Sequence, residues 1–154
     1  MTIDAPQVSR HDPRISAWRT FLETHARVVR ELEQELQAEA DLPLTHYDVL
    51  VQLSGADARR LRMSELADRL LLSRSGVTRL VDRLVADGLV ERVSCDSDRR
   101  GAWASLTDAG YQRLRSAAPV HLRGVAAHFL DRLTPDELRQ LDGLLRRVME
   151  GAVP

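Results

Sequence analysis

The stretch from Met63 to Thr107 limits the possible folds most, because its apolar residues change from helical spacing to the spacing of short strands. Ser64 is a candidate N-cap, and the first predicted helix has apolar residues at Leu66, Ala67, Leu70 and Leu71. Ser73 or Ser75 can cap a second helix, whose apolar stripe consists of Val77, Leu80, Val81, Leu84 and Val85. Gly88 suits the position just after that helix. The stretch therefore begins with two helices joined by a tight turn.

A β-hairpin is predicted directly after these helices. Leu89, Val90 and Val93 indicate one short strand, and Ala102, Trp103, Ala104 and Leu106 indicate a second. The turn between them, Asp96–Gly101, ends in glycine and carries Arg99 and Arg100 at its tip. Asp98 can pair with Arg100 or accept hydrogen bonds from turn amides, so we expect it to stabilise the tip. Such a hairpin after two helices is the wing of a winged helix-turn-helix.

The second helix has a polar face that consists mainly of arginines and small hydroxyl side chains. Its members are Arg74, Ser75, Thr78, Arg79, Asp82 and Arg83. A guanidinium group can form two hydrogen bonds with guanine or phosphate, and small hydroxyls reach base edges or phosphates. The pattern favours a helix that lies in the major groove of DNA. A helical hairpin with an arginine-rich solvated face is the alternative that the same spacing allows.

These residues resemble the MarR family of bacterial winged-helix transcription regulators. The resemblance rests on the runs Ser73–Leu84, Asp87–Arg92 and Asp96–Gly101, the last leading to Leu106 and Thr107, and it extends over roughly Ile15 to Val148. It implies a mainly α-helical fold with a small β-hairpin. The implied arrangement is a flexible N-terminus at 1–12 and a single domain at 13–154. Within that domain, a winged helix-turn-helix at 44–107 is flanked by dimerisation helices at 13–40 and 108–150.

The implied function is sequence-specific binding of double-stranded DNA by a homodimer, with repression as the expected outcome. We expect the DNA-binding residues to be Ser73, Arg74, Ser75, Thr78, Arg79, Arg83, Arg99 and Arg100. The helix that lies in the major groove is called the recognition helix. A homodimer has two of them related by a two-fold axis, which requires a pseudo-palindromic operator with half-sites roughly 10 bp apart. A protein-interaction module that reuses the winged helix without a ligand response is the alternative function.

The resemblance also implies a small effector, often an aromatic or phenolic anion, in a crevice between the dimerisation helices and the winged helix. Candidate lining residues are Trp18, His25, Tyr47 and Arg115. The alternative is a structural role, because an aromatic or histidine side chain on an apolar stripe more often packs in a core or an interface than against a ligand. Some relatives sense peroxide through a thiol near the N-terminal helices, but Cys95 follows the first wing strand, so that role does not transfer.

Long helices are predicted on both sides of this stretch. Pro13 to Ala40 carries a lengthwise apolar seam, and a helix from Thr107 and Asp108 onward includes Leu114, Leu122, Val125, Phe129 and Leu130. A kink or break is expected at Pro119 in that helix. Thr134–Glu137 forms a capping box for the last helix. Thr45 is a candidate cap for a short helix at Leu44–Leu53. Arg59, Arg60 and Arg62 are expected in a solvated loop, with contact to phosphate as the alternative.

Charge distribution supports a nucleic-acid partner despite a net charge of −1. Between Arg59 and Gly101 there are ten arginines and seven acidic residues, whereas the rest of the chain has 12 basic and 16 acidic residues. A basic binding face is therefore predicted on an acidic body.

The size of the chain agrees with a single domain. With 154 residues and 44% hydrophobic content, it can bury one ordinary hydrophobic core.

Other classes of protein are disfavoured by what the sequence contains. It has no apolar run of membrane-spanning length and no secretion signal at its beginning, so we expect a cytoplasmic protein. His121 and His128 lie two helical turns apart, too far to share a metal ion without other ligands, and we expect no metal and no cofactor. No glycine-rich phosphate loop or nucleophile elbow is found, so an enzyme is not expected.

Overall fold

A computed structural model describes residues 12–94 and 102–151. In this part of the chain the helices are α1 (Pro13–Ala40), α2 (Leu44–Ser54), α3 (Met63–Leu70), α4 (Arg74–Ala86), α5 (Asp108–His128) and α6 (Pro135–Met149). The strands are β1 (Arg60–Arg62), β2 (Val90–Ser94) and β3 (Ala102–Leu106). Short 3-10 helices lie at Asp57–Arg59 and Leu130–Arg132. The fold is thus mainly helical with a small antiparallel sheet, as the sequence predicted.

The chain divides into two compact units, and the boundaries fall within α1 and α5. One unit spans Glu33–Gly124, and the other combines the residues up to Leu32 with those from Val125 onward. Apart from Leu32, every buried apolar side chain among the described residues belongs to the unit Glu33–Gly124. Its most deeply buried large side chains are Leu36, Val49, Leu50, Leu53, Leu66, Val77, Val81, Leu84 and Val90. This unit therefore contains a complete hydrophobic core.

The sheet has a third strand where we expected a solvated loop. Strand β1 pairs antiparallel with β3, so the strand order is β1-β3-β2. Leu61 is buried and lies opposite Ala104, while Arg60 and Arg62 point to the other face of the sheet. Alternation along the strand buries Leu61 while Arg60 stays exposed on the other face. The loop prediction for this segment is therefore wrong.

Helix α2 begins at the predicted residue but without the predicted cap, and helix α3 begins earlier than predicted. Helix α2 begins at Leu44, whose backbone N–H donates to the Glu33 carboxylate at 2.8 Å, and Thr45 does not cap it. Helix α3 begins at Met63, with Arg62 in the N-cap position, so the prediction of a Ser64 cap is wrong. The Glu65 carboxylate instead accepts the backbone N–H of Arg62 at 2.9 Å.

The helices at the C-terminal end follow their local signals with two exceptions. The prediction at Pro119 was a kink or a break, and α5 continues through this exposed residue without a break. It ends at His128, which leaves Phe129 and Leu130 beyond it rather than within it. Thr134 caps α6 as predicted: its hydroxyl accepts the backbone N–H of Glu137 at 3.3 Å. The backbone N–H of Thr134 donates in return to the Glu137 carboxylate at 2.7 Å, and this hydrogen bond lowers the pKa of Glu137.

One close backbone approach joins the hairpin to α5. Gly88, with φ of 72°, follows α4, and the carbonyl of Gly88 accepts a hydrogen bond from the Thr107 hydroxyl at 2.8 Å. That hydroxyl in turn accepts the backbone N–H of Gly110 at 2.9 Å. A Cβ atom at Gly110 would overlap the carbonyl oxygen of Leu89. Glycine is therefore required for the first turn of α5 to lie against the hairpin.

Substitution of Gly110 by alanine should lower the free energy of unfolding by about 1–3 kcal/mol, because the added methyl group meets backbone that cannot move aside cheaply. Gly143 is the matched control: it lies in α6 with open space around it. Gly143→Ala should raise the free energy of unfolding by about 0.5–1 kcal/mol through helix propensity. Urea denaturation measures both values, and equal effects of the two substitutions would contradict the close approach.

Candidate nucleic-acid interface

Helix α4 begins with a side-chain cap. The Ser73 hydroxyl accepts the backbone N–H of Gly76 at 3.1 Å and lies 3.2 Å from the Ser75 hydroxyl. The predicted Ser73 cap is confirmed, and the helix ends before Gly88 as expected. At that end the N–H of Gly88 donates to Val85 and that of Leu89 donates to Leu84, which satisfies the last carbonyls.

Burial divides α4 into two faces. Val77, Val81 and Leu84 are buried within the unit Glu33–Gly124. On the opposite side every predicted polar residue is exposed, and these residues are Arg74, Ser75, Thr78, Arg79, Asp82 and Arg83. The structure thus brings the predicted recognition residues of α4 together on one solvent-facing surface.

Arg92 on β2 interacts with this surface, although the sequence did not single it out. Its Nε and Nη2 donate to one carboxylate oxygen of Asp82, at 3.2 and 2.7 Å. The same Nη2 lies 3.5 Å from the backbone carbonyl of Thr78. The carboxylate in the middle of the arginine-rich face is therefore neutralised, and β2 is joined to α4. Arg92 follows the buried Val90 by two residues, which is the periodicity that places both on the same face of the strand.

The two wing strands are confirmed, with Val90 opposite Leu106 and Ser94 opposite Ala102. The predicted tip residues Asp98, Arg99 and Arg100 lie outside the described residues, as does Cys95.

The sheet places two arginines beside one aromatic ring. The guanidinium carbon of Arg62 lies 4.9 Å from the centroid of Trp103, and that of Arg60 lies 5.2 Å from it. Both distances are within the range of a cation–π interaction. Sequence reasoning missed this group because the pairing of β1 with β3 creates it.

The four candidate effector-binding residues belong to different units. On α1, Trp18 stacks on Phe21 with ring centroids 6.0 Å apart, and Phe21 lies 6.5 Å from His25. In the unit Glu33–Gly124, Tyr47 is buried and its ring centroid lies 4.4 Å from that of His121. Arg115 is exposed in the same unit.

Tyr47 and His121 form an uncharged aromatic pair. Burial raises the pKa of Tyr47 and lowers the pKa of His121, so both rings favour their neutral forms. The Nδ1 atom of His121 is buried and has no hydrogen-bond partner among the described residues.

Within residues 12–94 and 102–151, no helix has the length and apolar character needed to cross a membrane. In the same ranges no three His, Cys, Asp or Glu side chains lie close enough together to hold a metal ion.

Comparison with known proteins identifies the family. The MarR family model matches residues 40–101, which run from the end of α1 to the hairpin. The crystal structure of Sco3205 from Streptomyces coelicolor, a MarR family transcriptional regulator in complex with DNA, aligns with a TM-score of 0.87. Sequence identity is 38%, and the alignment covers 98% of this chain and 94% of Sco3205. The chain belongs to the MarR family.

Other MarR relatives match over different lengths. Transcriptional repressor MprA from Escherichia coli strain K12 is 26% identical over 147 residues, which are 93% of this chain and 82% of MprA. The HTH-type transcriptional regulator YkoM from Bacillus subtilis strain 168 is 35% identical over 86 residues. That match covers 56% of this chain and 55% of YkoM. This MarR chain is therefore a transcriptional regulator, and its relatives are regulators rather than enzymes.

Proposed function

We propose that this MarR regulator is a homodimeric repressor that binds a pseudo-palindromic operator and responds to a small ligand. In this proposal residues 44–107 bind DNA, and residues 13–40 and 108–150 form the dimer. DNA binding is supported above all by α4, whose apolar side is buried while its arginines and hydroxyls face solvent. Two relatives support DNA binding and repression: Sco3205 was solved in complex with DNA, and MprA is a transcriptional repressor.

The residues of α4 and of the wing have different roles in this proposal. Arg79 is exposed near the middle of the recognition face, where a guanidinium group can bind a base edge in the major groove. Arg74, Ser75, Thr78 and Arg83 surround it, and the Ser73 hydroxyl serves mainly as the helix cap. Arg99 and Arg100 of the wing contact phosphates or the minor groove, and Asp98 stabilises the tip.

Selection of binding sites from a random duplex library should yield inverted repeats with half-sites roughly 10 bp apart. On the selected site, Arg79→Ala should relax the preference at one base pair by about 1–3 kcal/mol. Arg99→Ala should instead weaken binding to all sequences alike, because a phosphate contact carries no sequence information. Fluorescence anisotropy on a panel of single-base variants measures these effects. If Arg79→Ala left every base preference unchanged, its base-reading role would be wrong.

Dimerisation is supported by the apolar surface of the unit that contains the N-terminal part of α1 and the whole of α6. Its exposed large apolar side chains are Trp18, Phe21, Leu22, Val29, Leu130, Leu144, Leu145, Val148 and Met149. A cavity of about 480 Å³ with almost entirely apolar walls opens among Phe21, Val28, Phe129, Leu141 and Leu145. A monomer rarely exposes so large an apolar surface, whereas a second copy of the chain would cover it.

Leu144→Glu tests the dimer, because Leu144 is 55% exposed on the apolar face of α6. An unpaired carboxylate there should raise the dimer dissociation constant by at least about tenfold. Gly143→Glu is the control: it adds the same charge one residue away, on the side of α6 opposite Leu145 and Val148. Sedimentation equilibrium should show more monomer for Leu144→Glu alone. A wild-type protein that is monomeric at micromolar concentration would contradict the dimer.

The proposed ligand response is supported by aromatic and histidine side chains of helices α1, α2 and α5. Trp18 and His25 flank Phe21 along α1, and Tyr47 forms a neutral pair with His121. Each unit thus offers aromatic surface of its own, and Arg115 adds an exposed cation in the unit Glu33–Gly124, which suits a phenolic anion. A thermal-shift screen of phenolic acids measures the response, since a ligand of the native state raises the Tm. Absence of any shift at millimolar concentrations would count against this part of the proposal.

A further inference from the structure

The unit that contains the N-terminal part of α1 and the whole of α6 has a polar cavity beside its apolar one. The polar cavity has a volume of about 340 Å³, and the apolar cavity has a volume of about 480 Å³. Both lie entirely within this unit. Four residues line both cavities, namely Thr24, Val28, His128 and Arg132. The two spaces therefore form one amphipathic cavity, with an apolar interior that leads to a polar end.

The polar end of this amphipathic cavity carries two arginines. Arg27 of α1 and Arg132, which follows α5, line it together with Glu31. Among the described residues, no acidic side chain lines the apolar interior. With two guanidinium groups against one carboxylate, the polar end has an excess of positive charge. It therefore suits a carboxylate group on a ligand.

The break at the end of α5 positions one of these arginines. Helix α5 ends at His128, and Phe129 has a φ of −134°, which is not helical. The chain then turns through the 3-10 helix Leu130–Arg132, and Phe129 and Arg132 both line the cavity. The Nε atom of Arg132 donates to the carbonyl of Ala127 at 3.1 Å. A guanidinium group held in this way loses less conformational entropy when its Nη1 and Nη2 atoms bind an anion.

The apolar interior suits a hydrocarbon chain better than it suits water. Its walls include Phe21, Val28, Phe129, Leu141 and Leu145. Such walls offer water few hydrogen-bond partners, whereas each methylene group buried against them favours binding about fourfold. The volume of the interior also lies within the range of small-molecule sites, which is roughly 300–1,000 Å³.

We propose that the amphipathic cavity binds a straight-chain carboxylic acid of medium length, with its hydrocarbon chain in the apolar interior and its carboxylate on Arg132 and Arg27. A second copy of the chain would cover the apolar surface around the cavity, but the two arginines favour an anionic amphiphile as the occupant of the cavity itself. This site goes beyond the phenolic effector of the proposed function, because every described residue of its walls lies outside residues 44–107.

Occupancy of the cavity is coupled to dimerisation in this arrangement, a step that rests on the proposed homodimer. Phe21, Val29 and Leu145 line the cavity and also belong to the exposed apolar surface assigned to the dimer. A ligand that fills the space beside these side chains holds them in place for a second copy. Because coupling between two binding events is reciprocal, the ligand should lower the dissociation constant of the dimer.

Isothermal titration calorimetry with sodium octanoate and sodium decanoate tests the proposal. The wild-type protein should bind decanoate about tenfold more tightly than octanoate, because two more methylene groups are buried. Octanol should bind about tenfold more weakly than octanoate, since it lacks the charged head group. Arg132→Gln should lower the affinity for octanoate about tenfold and leave the affinity for octanol unchanged.

Two further variants separate the head group from the hydrocarbon chain. Val28→Phe fills part of the apolar interior and should lower the affinities for octanoate and octanol alike, by at least about tenfold. If Val28→Phe does not fold, Arg132→Gln carries the test, because Arg132 is exposed. Arg147→Gln is the matched control: it removes an exposed arginine of α6 that is not among the described wall residues, and it should bind octanoate like the wild-type protein.

Sedimentation equilibrium tests the coupling to dimerisation. Octanoate should lower the dimer dissociation constant of the wild-type protein more than that of Arg132→Gln. If octanoate raised this constant in the wild-type protein, a second copy would occupy the cavity and the proposal would be overturned.

Other outcomes would also overturn the proposal. Equal octanoate binding by the wild-type protein, Arg132→Gln and Val28→Phe would show adsorption to apolar surface elsewhere. A phenolic acid that required Arg132, with no binding of octanoate or decanoate, would make the cavity an effector site and the inferred ligand class wrong. Operator selection is measured separately, so failure of the cavity proposal leaves DNA binding intact, and failure to select a duplex contradicts the proposed function alone.

Discussion

Burial of Val77, Val81 and Leu84 fixes the rotation of α4 about its own axis. Because a helix has 3.6 residues per turn, this single constraint decides which side chains face solvent. Arg74, Thr78, Arg79 and Arg83 are exposed as a direct consequence. Each of the three buried side chains stabilises the fold by about 1.5–3 kcal/mol, so a different rotation of the helix would be costly. The hydrophobic core, rather than contacts among the exposed side chains themselves, therefore determines where the arginines and hydroxyls of α4 lie.

The hairpin depends on the same core and on a small number of polar contacts. Gly88 turns the chain out of α4, and the Thr107 hydroxyl links the Gly88 carbonyl to the first turn of α5. Arg92 then joins β2 to Asp82 in α4. Since both partners of this ion pair are partly exposed, its net contribution to stability is small, at about 0–1 kcal/mol. Its structural effect is to connect β2 to α4 while neutralising the one carboxylate on the exposed, arginine-rich face of that helix.

Sequence alone predicted the elements whose signals are local. The Ser73 cap and the Gly88 stop lie within a few residues of the helix that they bound, so their effect can be read from neighbouring positions. It could not predict what caps α2, because the first amide of that helix donates to the Glu33 carboxylate 11 residues earlier in the chain. The arginine face of α4 was predicted from periodicity, but the contact of Arg62 with the Trp103 ring and the ion pair of Arg92 with Asp82 were not. The first contact comes from strand pairing and the second from a strand-to-helix contact, and both require the assembled sheet.

The most direct test of the account compares two duplexes at several salt concentrations. One contains the sequence upstream of the chain's own gene, and the other has the same composition in scrambled order. The account predicts a preference for the first duplex, with log affinity falling linearly and steeply with log salt as several phosphate contacts release counterions. Binding that is insensitive to salt, or equal for the two duplexes, would contradict the claim that the exposed face of α4 reads DNA.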